Sequence, residues 1–435
     1  MARFLRKFDK HTSYEAFTHT KAFVKPNVSY CVLENECHFT AFRHDYSKDY
    51  LTFVAREDGA TFTFNAPYDE SGGGETPQVP GGEVVASINP GDSINSTKNL
   101  KKAGSTNLRS TSTYNTLSYS LDDGETWTQL SEGSYTPSIG YGEKILWKGE
   151  ATVIEHNGIG YFSATKDFDV QGNAMSLLFG DNFDGETSLE GYDGAFLGLF
   201  AYVEEQPEYN DRSLGGSNII NAKNLSLPAT TLSMVCYAGM FLNCNTLISA
   251  PELPATTLAV FCYGRMFSGC TSLTTAPELP ATTLAESCYG SMFQGCTSLY
   301  AVQEVLPATT LANYCYGGMF YGCTSLTTAP ELPATTLVEG CYDSMFYNCS
   351  NLNYIKAMFT SEPSETYLGG YGSWDDNVAE SGTFIMNSDA ANYWQYSLRN
   401  YTDWGLLPCW KIKDQNGNTL YECGGGPSPQ DPIYG

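Results

Sequence analysis

The hexapeptide Leu-Pro-Ala-Thr-Thr-Leu occurs five times in this chain, beginning at Leu227, Leu253, Leu279, Leu306 and Leu332, in steps of 26, 26, 27 and 26 residues. Each copy leads into Cys-Tyr-x-x-Met-Phe-x-x-Cys, as from Cys262 to Cys270, and then into Thr-Ser-Leu-Thr-Thr-Ala-Pro-Glu-Leu-Pro or a variant of it, as from Thr271 to Pro280. A single coil of this length cannot bury its own apolar face, so such a period predicts coils stacked on one another. Leu273, Leu279 and Leu284 are expected to point inward and to recur in the next coil at Leu299, Leu306 and Leu311, with Cys262, Met266, Phe267 and Cys270 filling the opposite side. The Cys-to-Cys segment suits a short helical or 3₁₀ turn, because positions i, i+4, i+5 and i+8 share a helix face. The following segment reads as extended, with Thr271, Thr275, Thr297 and Thr324 stacking as hydroxyl rows that satisfy backbone groups.

Ten of the 14 cysteines fall in these units, at 236/244, 262/270, 288/296, 315/323 and 341/349. Two cysteines eight apart on a helical turn lie about 12 Å apart, too far for a disulfide. Zinc favours closer pairs supported by histidine, and no histidine follows His156. The expected role is therefore that of a small apolar residue in a ladder. Cys31 with Cys37, and Cys409 with Cys423, remain open as pairs.

The rest of the chain divides around the repeat. Residues 1–46 read as an anchoring segment, with strands at 27–33 and 36–40 about a Glu34-Asn35 turn and with Pro26, Asn27, Val28 and Tyr30 as anchoring residues. An isolated hairpin is marginal in water and needs something to dock on. Residues 47–180 alternate aromatic and Thr or Ser, as half-buried strands do, and are interrupted at 67–113 by a Gly-, Pro- and Ser-rich insertion. The expected domains are thus a β-sandwich-like domain at 47–180, a connector and N-terminal cap of the stack at 181–226, five units at 227–352, an aromatic-rich C-terminal cap at 353–423 and a tail at 424–435. The expected fold class is mainly β with short helices.

With a net charge of −25, the chain is repelled by nucleic-acid phosphates, and no nucleic-acid partner is expected. No run of about 18 apolar residues exists to span a membrane, and the N-terminal stretch lacks the apolar core of an export signal. Nucleophile-elbow, P-loop, metalloprotease and dinucleotide-binding motifs are absent, so neither catalysis nor a cofactor or metal is expected. Asp167-x-Asp169-x-Gln171-Gly172 opens like a calcium loop but has Leu178 where the twelfth-position carboxylate belongs. The acidic stretch holding Asp181, Asp184, Glu186 and Asp193 reads as a solvated loop. A sharper candidate lies after the repeat. There Trp374, Tyr393, Trp394, Tyr396 and Trp404 could stack on sugar faces, against the plainer reading that they shield the last coil.

The units resemble BspA-type leucine-rich repeats. Phe-x-x-Cys recurs at Phe241–Cys244, Phe267–Cys270, Phe293–Cys296, Phe320–Cys323 and Phe346–Cys349, each time before a Leu-containing extended segment and Pro. The resemblance covers residues 227–352, with coils a few residues longer than the family's common form, and it implies a short leucine-rich-repeat solenoid. A wider resemblance rests on Tyr-Ser-Leu-Asp-Asp-Gly-Glu-Thr-Trp (119–127), Gly-Glu-Lys-Ile-Leu-Trp-Lys-Gly (142–149), Met-Ser-Leu-Leu-Phe-Gly-Asp-Asn-Phe (175–183) and Ser-Gly-Thr-Phe (381–384). Together with Pro26–Cys31 and Cys37–Phe39, these resemble virion-associated proteins of phages and prophages of gut Bacteroides-type bacteria. That likeness implies a non-enzymatic fibre, decoration or host-attachment component located in the virion. Residues 1–46 would join it to other virion proteins, and its target would be a host-surface or mucus glycan or protein. A homo-oligomeric state is left open. A bacterial cell-surface adhesin and a polysaccharide-degrading enzyme are the competing readings.

Overall fold

The computed structural model describes residues 28–32, 39–43, 45–65, 117–131, 134–150, 159–206, 211–360, 377–390 and 410–422. Among these the chain is mainly β, with one short α-helix, α1 (Ser176–Phe179), and no sheet closes on itself. Strands β1 (Val28–Val32) and β2 (Phe39–Arg43) form an antiparallel hairpin in which Val32 faces Phe39. The expected Glu34-Asn35 turn lies outside the described residues. Val28 and Tyr30 lie on β1, while Pro26 and Asn27 fall outside the described residues.

A six-stranded sheet follows. It is built from β3 (Leu51–Ala55), β5 (Ser118–Ser120), β6 (Thr128–Gln129), β7 (Lys144–Lys148), β9 (Phe168–Asn173) and β12 (Ile219–Ser226), in the order β12-β9-β3-β7-β5-β6. Strands β4 (Phe62–Asn65) and β8 (Tyr161–Ala164) pair separately. Their Phe62 and Phe162 rings pack on Phe53 at 5.3 and 4.9 Å, and Trp147 and Phe168 complete the cluster at 5.4 and 5.0 Å. Beyond β8, the hairpin of β10 (Ala201–Gln206) and β11 (Asp211–Gly216) leads back to β12, which pairs in parallel with β9. Residues 219–226, placed by sequence in the connector, are thus hydrogen-bonded into the sheet.

From β12 the parallel pairing runs on through the repeat. Asn221 bridges Ser249, Ser249 bridges Thr275 and Thr275 bridges Ala301; a second line joins Ser188, Thr231, Thr257, Thr283 and Thr310. Thr328 then bridges Tyr354 in β13 (Tyr354–Ala357), which pairs in parallel with β14 (Thr383–Met386) and through it with β15 (Lys411–Asp414). The antiparallel strand β16 (Thr419–Tyr421) ends the column.

The Cys-Tyr-x-x-Met-Phe-x-x-Cys segments are not helical, which corrects the expectation of short helices there. In the second unit the N–H groups of Cys262, Gly264, Met266, Ser268 and Cys270 donate to carbonyls three residues back. Those of Phe261, Tyr263, Arg265, Phe267 and Gly269 donate instead to the next coil, at Glu286, Cys288, Gly290, Met292 and Gln294. Every fourth residue takes a positive φ, with Phe261 at 54°, Arg265 at 56° and Gly269 at 76°, which no α-helix permits. The alternation satisfies each buried N–H while bonding neighbouring coils, something a closed helix could not do.

The interior follows from this register. Tyr237, Tyr263, Tyr289, Tyr316 and Tyr342 stack at 5.7–6.0 Å with rings within 8° of parallel. Phe241, Phe267, Phe293, Phe320 and Phe346 stack beside them at 5.4–5.9 Å. Both columns extend upstream, to Phe196 at 5.4 Å from Tyr237 and to Phe200 at 5.3 Å from Phe241. Residues 183–201 therefore supply a further coil that lacks the repeat's motif. Gly194 and Gly198 hold its positive-φ positions, and Phe196 and Phe200 donate to Cys236 and Met240 of the first unit. Phe200 also lies 6.0 Å from Phe53, so sheet and ladder share one apolar core.

Candidate binding surface

All ten cysteines of the repeat are buried, and none of them forms a disulfide. Burial pushes their thiols well up from the usual range, to about 12 at Cys236, so thiolate chemistry is suppressed. The second cysteine of each unit has a structural task. Its thiol meets the carbonyl of the preceding coil's Phe, as from Cys270 to Phe241 at 3.1 Å and from Cys296 to Phe267 at 3.0 Å. Cysteine is small enough for the column and still donates. With the interior closed in this way, chemistry is left to the outer face.

That face is ordered by the coil period. The Thr-Thr of each Leu-Pro-Ala-Thr-Thr-Leu lies at the surface, and Thr256, Thr257, Thr282, Thr283, Thr309, Thr310, Thr335 and Thr336 are exposed. Because Thr257, Thr283 and Thr310 are bridge partners, their hydroxyls repeat at the spacing of adjacent strands, roughly 4.8 Å. A second row, of carboxylates, recurs at a 26-residue spacing at Glu252, Glu278 and Glu304, while Glu331, which pairs with Lys356 at 2.9 Å, stands opposite Val305. A third row is tied to backbone, with Thr246 donating to Ile219 at 2.9 Å, Thr271 to Asn245 at 3.4 Å and Thr324 to Thr297 at 3.3 Å. The third unit breaks the pattern. Its extra residue exposes Tyr300 and Val305, and Gln303 repairs the register by accepting from Leu279 N–H at 2.7 Å and donating to the Val305 carbonyl at 2.8 Å.

At the sheet end of the carboxylate row lies a groove of about 350 Å³. Three segments line it: the 3₁₀ turn at Tyr46–Lys48 with its cap Asp45, the stretch Lys223–Pro228 on and after β12, and Glu252 with Pro254 of the first unit boundary. Asp45 holds the turn by accepting from Ser47 N–H and Oγ at 3.1 and 2.5 Å, and Asn173 of β9 donates to the Ser47 carbonyl at 2.8 Å. The wall is thus fixed to the sheet, and its floor is the sheet's bond to the repeat.

Three sequence motifs meet at a second place. Trp127, Lys148 and Asp181 come from the 119–127, 142–149 and 175–183 motifs and gather around Tyr50. Lys148 Nζ lies 2.8 Å from Asp181 and 4.3 Å from the Trp127 ring, and the Tyr50 hydroxyl donates to Asp181 at 2.6 Å. Burial first, then Asp181, pushes the Tyr50 phenol up to about 12; Lys148 and then Tyr50 hold Asp181 below the usual carboxylate range. Lys148 already occupies the aromatic face, so this cluster clamps the Asp122–Thr126 loop to the sheet.

The sequence-predicted platform residues Trp374, Tyr393, Trp394, Tyr396 and Trp404 lie outside the described residues. Their neighbour Trp410 is a core residue, 1% exposed, whose indole N–H donates to the Ala379 carbonyl at 2.7 Å. The calcium-like run is strand β9, with Asp169 paired to Arg56, so no loop forms there to wrap a cation. Asp181 is taken by Lys148, and among the described residues no three His, Cys, Asp or Glu side chains gather as a metal site. The described residues also include no helix long and apolar enough to cross a membrane. The groove was missed because its residues come from three distant segments with no motif in common. No family model, curated protein or solved structure matches the chain.

Proposed function

We propose that the chain is a non-enzymatic display protein of a phage virion, serving as a fibre, decoration or host-attachment component. In this reading the 47–180 region is a β-sandwich-like base, and the repeat is a short leucine-rich-repeat solenoid whose outer face binds host-surface or mucus glycans. The observation that carries it is the in-register row of exposed threonine pairs beside a carboxylate row ending in a polar groove. Hydroxyls and carboxylates at strand spacing offer repeated hydrogen-bond partners to a repeating polyhydroxy chain, and a ladder bonded coil to coil costs little ordering on binding. Residues 1–46 are the proposed attachment to other virion proteins.

Two measurements test this. The purified chain should bind mucin-type or bacterial surface glycans in an array, without shortening them. A chain lacking residues 1–46 should keep that binding and lose incorporation into particles. Glycan depolymerisation would turn the reading towards an enzyme, and normal incorporation of the truncated chain would end the anchoring proposal.

A further inference from the structure

We infer that Tyr321 and Tyr347 form an oxidative cross-linking site, at which a one-electron oxidant joins the two phenols as dityrosine and staples the fourth unit to the fifth. This inference is independent of the glycan reading. The two rings lie 4.9 Å apart at 23° and both are half-buried, so they touch each other and still reach solvent. They follow the stacking phenylalanines in Phe320-Tyr321-Gly322-Cys323 and Phe346-Tyr347-Asn348-Cys349, where the first three units carry Leu242, Ser268 and Gln294 instead. Backbone bonding holds their register, since Gly322 N–H donates to the Tyr347 carbonyl at 2.7 Å. The exposed Tyr135, Tyr141 and Tyr300, by contrast, make no ring contact among the described residues.

The coupling needs two things that the buried tyrosine column lacks. A phenol that loses an electron becomes a strong acid, so oxidation proceeds where water or a base can take its proton. Tyr316 and Tyr342 also stack between the fourth and fifth units, at 6.0 Å and 8°, but each is only 1% exposed. Tyr237, Tyr263 and Tyr289 have buried hydroxyls with no hydrogen-bond partner to receive a proton. The rings must also tilt to bring two ortho carbons within bonding distance, which close packing resists and a half-exposed pair permits. In the reaction each phenol gives one electron to the oxidant and one proton to water. The two phenoxyl radicals then form one carbon–carbon bond between ortho positions, and each ring regains its hydroxyl as its ortho hydrogen moves to oxygen through solvent. Two electrons and two protons leave in all, taken up by two equivalents of a one-electron oxidant such as a peroxidase intermediate. The bond closes the chain between 321 and 347 into a loop, and such a cross-link stabilises chiefly by constraining the unfolded chain.

The test is photolysis of the full chain, at high dilution, with ruthenium tris-bipyridine and persulfate as the one-electron oxidant, beside the same treatment of Tyr347→Phe. That substitution keeps the ring and removes only a hydroxyl, so the variant should fold normally, which circular dichroism checks. Cleavage after glutamate separates residues 305–331 from 340–362. Mass spectrometry of the oxidised wild type should find these two peptides joined and lighter by two hydrogens than their sum, and the joined species should vanish in Tyr347→Phe. The oxidised wild type should also unfold at a higher urea concentration than the oxidised variant. Absence of the joined species from the wild type would overturn the inference. Its persistence in Tyr347→Phe would place the bond on another tyrosine and overturn it equally. A link that forms without raising the midpoint would overturn the staple. None of these outcomes bears on glycan binding, which the array measures separately.

Discussion

The six-stranded sheet and the repeat share one core and one line of parallel pairing, yet they are held together differently. In the sheet, partners are remote: β3 sits between β7 and β9, and the Phe53 ring meets rings from residues 62, 147, 162, 168 and 200. In the repeat each ring meets its own equivalent one coil away, so Phe293 stacks on Phe267 and Phe320 only. The sheet is a knot of unlike contacts and the repeat a series of like ones. Loss of a contact should therefore spread in the first and stay local in the second.

The largest effect should come from cutting one ring out of each. Phe53→Ala and Phe293→Ala both remove a fully buried ring, at a cost of about 3–5 kcal/mol each. Phe53→Ala should lower a single cooperative urea transition. Phe293→Ala should uncouple the coils on either side, since a stack is stabilised by nearest-neighbour interfaces, and broaden the transition into two. Circular dichroism and tryptophan fluorescence would read this together. Coincident, sharp curves for Phe293→Ala would show that the repeat is as cooperative as the sheet.

Next in size are two glycines at the same place in successive coils. Gly269 and Gly295 have φ of 76° and 73°, so alanine is strained at both, by about 1–2 kcal/mol. They differ in space. A Cβ on Gly269 would fall 2.1 Å from Asn243 Oδ1, whereas on Gly295 its nearest neighbour is 3.9 Å away. Gly269→Ala should therefore lower the melting temperature clearly more than Gly295→Ala. Equal losses would mean that strain alone matters and that Asn243 yields freely.

Much of the repeat was legible because each coil states its environment five times. Leu273, Leu299, Cys262, Met266, Phe267 and Cys270 are all buried, as their recurrence implied. What could not be read was the backbone between the cysteines. A spacing of i, i+4, i+5, i+8 fits a helix, but it also fits a ribbon of turns whose handedness reverses every fourth residue. Non-glycine residues such as Phe261, Arg265 and Ser291 occupy reversing positions and conceal the signal. The coil at 183–201 keeps glycine there and phenylalanine in the stacks, but without Leu-Pro-Ala-Thr-Thr-Leu it carried no period. In the sheet, strands could be found one by one, while the order β12-β9-β3-β7-β5-β6 depends on pairings across the insertion that no local pattern encodes. The groove inherits that difficulty, since its three walls are brought together only by the sheet's topology.

A smaller effect should change sign between the two regions. Tyr263 is buried with a hydroxyl that has no hydrogen-bond partner, while Tyr50 donates to Asp181 at 2.6 Å. Removing an unsatisfied buried hydroxyl relieves a desolvation cost, so Tyr263→Phe should stabilise by about 1 kcal/mol. Tyr50→Phe should destabilise by less than about 1 kcal/mol, because Asp181 is 62% exposed and solvent weakens the bond. Chemical denaturation of both variants decides it. A loss in Tyr263→Phe would show that its hydroxyl is satisfied in solution, for example by an ordered water within the stack.

The smallest difference is in the response to acid. On the sheet side, hydrogen bonds from Thr126 and then Ser120 bring Asp122 down to about 2, and Lys148 holds Asp181 below its ordinary value. A carboxylate with a lowered folded pKa contributes stability that is present above its unfolded value, about 3.9, and is lost as pH falls through the folded one. In the last unit of the repeat, Asp343 is shifted the other way, its carboxyl raised by burial. Its contribution is present below the unfolded value and lost as pH rises through the raised folded one. Acidification from pH 5 towards 2 should therefore speed amide exchange in β5, in the Asp122–Thr126 loop and around α1, while leaving residues 341–349 unchanged or slightly better protected. Hydrogen exchange followed by mass spectrometry, corrected for the intrinsic pH dependence of exchange, resolves the two segments. If both lose protection together, the sheet and the repeat act as one electrostatic unit, and the contrast between them is confined to packing.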